Sequence, residues 1–217
     1  MNFNVIDLAT WNRREHFEHY LNNVRCSYSV VVNIDITEFR NRLKLLGLKN
    51  YVAQIYILAC AVNNFPEFRM SLDNEGRLGY WDMVNPLYTV LNRENEFFSS
   101  IWTCYDRSFA PFYDRCTADI TQFCTGALFP KPDCPTNIFT ISSVPWIDFS
   151  AFNINVFSDT PYLLPILTIG KYIEERGRTM MPLAIQVHHA VCDGLHVGKF
   201  IENVKSLIND CKQWLPQ

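Results

Sequence analysis

Apolar positions recur along this chain with two spacings, every second residue and every third or fourth, and the switches between them set the expected order of elements. "YSVVVNIDIT" at residues 28–37 is β-branched and alternating, which predicts a strand. Thr37 then offers an N-cap for "EFRNRLKLLG", with Gly47 as the stop signal. "YVAQIYILACAVNNF" at 51–65 is apolar nearly all round and too long for one strand, so it predicts a buried helix. "FRMSLDNEGRLGYWD" reads as two short strands around Asn74-Glu75-Gly76, "LYTVL" as another, and residues 106–124 as a helix packed through aromatics. After the proline-rich loop "KPDCPTN", the stretches "IFTISSVPWIDF", "PYLLPILTIGKYIEE" and "TMMPLAIQVHH" read as strands. From Gly194 onward, Val197, Phe200, Ile201, Val204 and Ile208 share one helical face, predicting an amphipathic helix. Strands and helices are intermixed, so the expected fold is α/β: a mixed β-sheet packed with helices. With 217 residues and no repeat or long linker, one domain over 1–217 is expected.

Composition adds three constraints. Hydrophobic residues make up 48% of the chain, enough for a sizeable core. Charged residues are only 19%, against ~25% in typical soluble domains, which points to surface covered by partner subunits. The net charge of −3, with no cluster of Lys and Arg, argues against nucleic acid as a partner. No run approaches ~18 uninterrupted apolar residues, and the N-terminus lacks a basic-then-apolar leader, so neither a membrane span nor secretion is expected. The expected location is cytoplasmic. Eight cysteines without a C-x-x-C pair then read as free thiols.

The candidate chemistry lies in "QVHHAVCDGLHVGKF" at 186–200, which holds three of the five histidines. Strand alternation puts Leu183, Ile185, Val187 and His189 on one side and Ala184, Gln186 and His188 on the other. The adjacent histidines therefore diverge and do not readily share one metal. Helical metal sites place histidines at i, i+4 on one helix, whereas His189 ends a strand and Asp193 starts a helix, and beyond His196 nothing else has ligand spacing, so no metal is expected. A neutral imidazole, with its ordinary value of ~6.5, is suited to act as a general base near neutral pH. The plain alternative is that Asp193 caps a helix and His189 fills a core niche; spacing alone leaves both open.

"HHAVCDG" resembles the H-H-x-x-x-D-G motif of the coenzyme A-dependent acyltransferase superfamily. "WNRREHFEHY", "PEFRM", "FSSIW", "VPWIDFSAFNIN", "PILTIGKY" and "PLAIQVHHAVCDGLHVGKF" are similar, end to end, to the chloramphenicol acetyltransferase family of type A. That resemblance implies the coenzyme A-dependent acyltransferase fold, a two-layer mixed β-sheet packed with helices, with acetyl-CoA as co-substrate and chloramphenicol as acceptor. It also implies a homotrimer with active sites between subunits. The alternatives are a same-fold acyltransferase with another hydroxyl or thiol acceptor, or a non-catalytic binder of hydrophobic ligands.

Residue by residue, the resemblance makes His189 the general base, its other ring nitrogen held by a backbone carbonyl, and His188 a structural neighbour. It pairs Asp193 with Arg13, makes Ser142 (rather than Ser143) the oxyanion donor, and has Thr168 hold a water near the intermediate. Tyr20, Val24, Cys26, Tyr28, Phe152 and Ile166 would line the acceptor pocket, and Tyr51, Lys171 and Tyr172 would bind coenzyme A. "LKNYVAQ" departs from the family pattern at Val52, and residues 105–135 diverge in mid-chain.

Overall fold

A computed structural model describes residues 2–217. Strands β1 (Phe3–Val5), β3 (Met70–Leu72) and β4 (Leu78–Trp81) form a small antiparallel sheet in the order β1-β4-β3. The main sheet has seven strands: β2 (Ser27–Asp35), β5 (Asn85–Leu91), β6 (Phe98–Trp102), β7 (Ile138–Val144), β8 (Ile166–Gly170), β9 (Ile173–Glu175) and β10 (Arg178–His188). Its order is β2-β10-β8-β7-β5-β6, with β9 paired to β10. β5, β7 and β8 run parallel and the remaining pairs antiparallel, so the sheet is mixed.

Helices α1 (Arg14–Glu18), α2 (Thr37–Leu45), α3 (Asn50–Asn63), α4 (Phe109–Phe123) and α5 (Gly194–Asn209) complete the fold. α3 is the centre of the helical layer: every residue from Val52 to Val62 is buried, against α4, α5 and β5. Burial on all sides explains its lack of a polar stripe. α5 buries Val197, Phe200, Ile201, Val204 and Ile208, the face its spacing predicts. α2 starts one residue earlier than expected. Thr37 is its first helical residue, with Ile36 at the cap position, and the Asp35 carboxylate accepts the Thr37 N–H at 3.0 Å and its hydroxyl at 2.6 Å. Gly47, at φ +66°, turns the chain out of α2 in a conformation that favours glycine.

Two elements position the site. β10 lies centrally, between β2 and β8, and is buried from Met181 to Val187. Its C-terminal end meets the N-terminal end of β2, with His188 opposite Ser27. α1 continues into a π-helical turn, His19–Asn23, and the chain then enters β2. The N-terminal segment is thus folded back onto the end of β10. All eight cysteines are free thiols.

Candidate active site

His189 is the first residue beyond β10, and its backbone N–H donates to the Cys26 carbonyl at 2.8 Å. The turn that follows closes on His188, whose carbonyl accepts the N–H groups of Val191 and Cys192. The Tyr20 ring, from the π-helical turn, stacks on the His189 imidazole at 3.9 Å between centroids and 13° between planes. Tyr28 meets the same imidazole edge-on at 5.4 Å and donates its hydroxyl to the Cys192 carbonyl at 3.4 Å. Burial pushes the Tyr28 phenol up to about 12, so it stays a neutral donor at physiological pH.

Asp193 is the N-cap of α5. Its carboxylate accepts both terminal nitrogens of Arg13, one of them at 3.0 Å, joining residues 180 positions apart. The same guanidinium also reaches the His189 and Ala190 carbonyls at 3.5 Å. The hydrogen bond from Arg13 holds the Asp193 carboxyl below the usual carboxylate range. Asp193 Oδ1 lies 3.4 Å from His189 Nδ1. That nitrogen is buried and makes no hydrogen bond, so the backbone-carbonyl partner expected from the resemblance is replaced by a nearby carboxylate. A carboxylate there favours the proton on Nδ1 and leaves Nε2 with its lone pair outward, the tautomer a general base needs.

His188 takes different surroundings. Its Nδ1 accepts the Ala190 N–H at 3.2 Å, bracing the turn, and burial together with the neighbouring His189 lowers its pKa. Its ring lines a cleft of about 610 Å3 that also includes Cys26, Ile166, Gln186 and Tyr162. A second cleft, of about 320 Å3, is lined by Tyr28, Phe152 and their neighbours. Ile154 follows the Phe152-Asn153 lining of the smaller cleft in sequence and bonds Gln186 of the larger. Gln186 accepts its N–H at 2.7 Å and donates to its carbonyl at 2.6 Å. The six pocket candidates are therefore distributed: Tyr20 and Tyr28 against His189, Cys26 and Ile166 in the larger cleft, Phe152 in the smaller, and Val24 exposed in the link to β2.

Ser142 and Thr168 are brought together, but away from His189. They face each other across β7 and β8, and Thr168 pairs with Ala184 on β10. His188 lies four positions beyond Ala184 along β10 and His189 one further, which with two strand spacings puts Ser142 roughly 15–20 Å from His189. The coenzyme A candidates are also divided. Tyr51 is half-buried against the core and donates to the Thr89 carbonyl at 2.9 Å. Lys171 is exposed in the turn between β8 and β9. Beside it, Tyr172 accepts a hydrogen bond from Gln54 at 2.6 Å and lies beneath Arg40. Among the described residues, no cluster of three or more His, Cys, Asp and Glu is arranged to hold a metal, and no helix is long and apolar enough to cross a membrane.

Three contributors escaped the sequence reading: Gln186, Glu67 and the role of His196. Gln186 carries a usable signal, since a polar residue inside "LAIQVHH" on a central strand needs partners. Glu67 carries none, because its neighbour His196 is 129 positions away.

Fold and site together define an acyltransferase of the α/β kind. A solved chloramphenicol acetyltransferase superposes with a TM-score of 0.83 at 24% identity, covering 95% of this chain and 100% of that one. Dihydrolipoamide acetyltransferase of Azotobacter vinelandii gives 0.64 at 22% identity, covering 88% and 84%. The chain belongs to the chloramphenicol acetyltransferase family, whose sequence profile matches residues 1–205. It is 55% identical to the chloramphenicol acetyltransferase of Bacillus pumilus over 98% of this chain and 96% of that protein. It is 47% identical to that of Clostridium butyricum, over 99% of each.

Proposed function

We propose that this chain moves the acetyl group of acetyl-CoA to the 3-hydroxyl of chloramphenicol, giving the 3-acetate and free coenzyme A. The observation that carries this reading is the Arg13–Asp193 pair set against His189, a device that orders an imidazole across 180 positions of chain. His189 Nε2 takes the hydroxyl proton as the oxygen attacks the thioester carbonyl, worth ~10²–10⁴ in rate. The resulting oxyanion accepts a hydrogen bond from Ser142, with Thr168 beside it holding a water. Loss of one such donor costs ~10²–10³ in turnover. The tetrahedral intermediate then expels coenzyme A thiolate, which takes the proton back from the imidazolium. Transfer is direct, within a ternary complex, and no cysteine need act as nucleophile.

The distance between Ser142 and His189 in one chain calls for a second copy. In this reading the base of one subunit works with the serine of its neighbour, in a homotrimer. Trp146, Ile147 and Phe157, all exposed, supply apolar surface for such an interface. Tyr20, Val24, Cys26, Tyr28, Phe152 and Ile166 then surround the acceptor, and Tyr51, Lys171 and Tyr172 take coenzyme A. The enzyme would act in the cytoplasm, where acetyl-CoA is supplied.

The test is thiol release from acetyl-CoA, read with a panel of hydroxyl and thiol acceptors, with the product identified by NMR. Release with chloramphenicol and formation of the 3-acetate is the expected result. Binding of chloramphenicol without thiol release would overturn it. Gel filtration of the active protein tests the assembly, and a fully active monomer would refute the inter-subunit site.

A further inference from the structure

The mechanism above leaves His196 unused, although it is largely buried within the first turn of α5. Its Nδ1 accepts the backbone N–H of Asp193 at 2.9 Å. That nitrogen therefore carries a lone pair, and the ring proton sits on Nε2. Nε2 faces Glu67 Oε1 at 3.7 Å, across from the 3-10 turn Pro66–Arg69. The same turn takes the Cys192 thiol on the Glu67 carbonyl at 3.6 Å. Asp193 is thus fixed from two sides by one short turn: through Cys192 before it, and through the His196 ring on its own N–H. Its carboxylate is left to meet Arg13 and to lie 3.4 Å from His189 Nδ1.

We propose that His196 is a positioning residue for acyl transfer, acting through the Asp193 backbone to hold the carboxylate in register with Arg13 and His189. The inference rests on the reading of His189 as the base. The Asp193 N–H is one of the free donors at a helix start, and an acceptor on it fixes where the cap residue stands. Glu67 in turn fixes the imidazole by facing the nitrogen that bears the proton. A displacement of about 1 Å at a catalytic group is enough to cost ~10² in rate. The cost falls on turnover, because the His196 ring is engaged by the Asp193 N–H and faces Glu67.

The test compares three variants in the thiol-release assay. His196→Ala removes the acceptor, and kcat is expected to fall ~10–10²-fold with KM for either substrate within about twofold. His196→Asn puts an amide oxygen where Nδ1 stands and is expected to recover most of the loss. His196→Gln puts its oxygen near Nε2 instead and is expected to recover little. Wild-type kcat in His196→Ala, equal impairment of the alanine and asparagine variants, or a loss confined to KM would each overturn the proposal. Should His196→Ala fail to fold, the long-range proton–nitrogen NMR spectrum of the histidines in the intact wild-type protein decides. A bare Nδ1 with the proton on Nε2 supports the proposal, and a proton on Nδ1 overturns it. Failure of the functional reading is seen separately, as absence of thiol release by the wild type.

Discussion

Two ion pairs of this chain, Lys131 with Asp119 and Arg13 with Asp193, are finished differently. Lys131 and Asp119 meet at 2.7 Å, with side chains about one-sixth exposed. Asp119 also accepts the Thr103 hydroxyl at 2.6 Å, which meets the Tyr88 hydroxyl at 2.7 Å. Lys131 donates to the Trp102 carbonyl at 3.0 Å and lies 4.1 Å above the Trp102 ring. That cluster is saturated: it ties the end of the divergent segment back to its own helix α4 and to β6. Arg13 and Asp193 are half-finished by comparison. Arg13 Nε is buried without a hydrogen bond, as is His189 Nδ1, and Asp193 is one-third exposed. Unmade hydrogen bonds cost stability, so native proteins keep few of them. Among the described residues five such buried atoms occur, at Arg42, Arg69 and Thr117 as well, and two of the five, Arg13 Nε and His189 Nδ1, sit at this one pair and its imidazole.

The largest expected effect comes from deleting the group that the unsaturated pair serves. His189→Ala is expected to lower kcat by ~10²–10⁴ in a folded protein with KM little changed. Near-normal turnover would remove His189 as the base and leave the Arg13–Asp193 pair as a structural clasp like the other one.

Next in size is the exchange of symptoms between the two pairs. Arg13→Met is expected to lower kcat ~10–10²-fold through misplacement of the Asp193 carboxylate. Its cost in stability stays below the ~3–5 kcal/mol of a fully buried broken pair, because water reaches Asp193. Lys131→Met should do the reverse. It strands the Asp119 carboxylate and is expected to cost ~1–3 kcal/mol, at roughly 2–4 °C of Tm per kcal/mol for a chain of this size. Turnover at 25 °C should stay within about twofold of wild type. Calorimetry and the thiol-release assay on both variants check this, and matching profiles would abolish the distinction.

The same contrast governs what the sequence could reveal. α3 and α5 were legible because their hydrophobic positions either fill every side or repeat every 3.6 residues, and packing agreed with the pattern. β10 was legible as an apolar run. α1 and the π-helical turn were not, since "RREHFEHYLNN" buries only Phe17 and is shaped by what it touches: Asp193 through Arg13 and the His189 ring through Tyr20. Thr37 is not the cap of α2, because the Asp35 carboxylate, two residues upstream, takes the Thr37 N–H and hydroxyl and draws Thr37 into the helix, leaving Ile36 at the cap position. Periodicity separates His188 from His189, yet the Arg13–Asp193 contact spans 180 positions and carries no local signature. Only resemblance to the family pointed to it. The replacement of a backbone carbonyl by Asp193 near His189 Nδ1 lay beyond both.

The smallest expected effect is in the acid dependence of stability, and its sign separates the two pairs once more. Arg13 holds the Asp193 carboxyl below its ordinary value. A depressed carboxylate contributes stability in full above its unfolded-state value of ~3.9, and that contribution is lost as pH falls through the folded value. Arg13 stays charged throughout, so Asp193 alone titrates in that window. The advantage of wild type over Asp193→Asn in urea unfolding should therefore be level between about pH 7 and 5 and shrink below ~3.9. Screening at a carboxylate that is one-third exposed keeps the whole effect small. An advantage that grew toward acid would mean that the protonated carboxyl is the better partner for Arg13. The pair would then be held by packing alone.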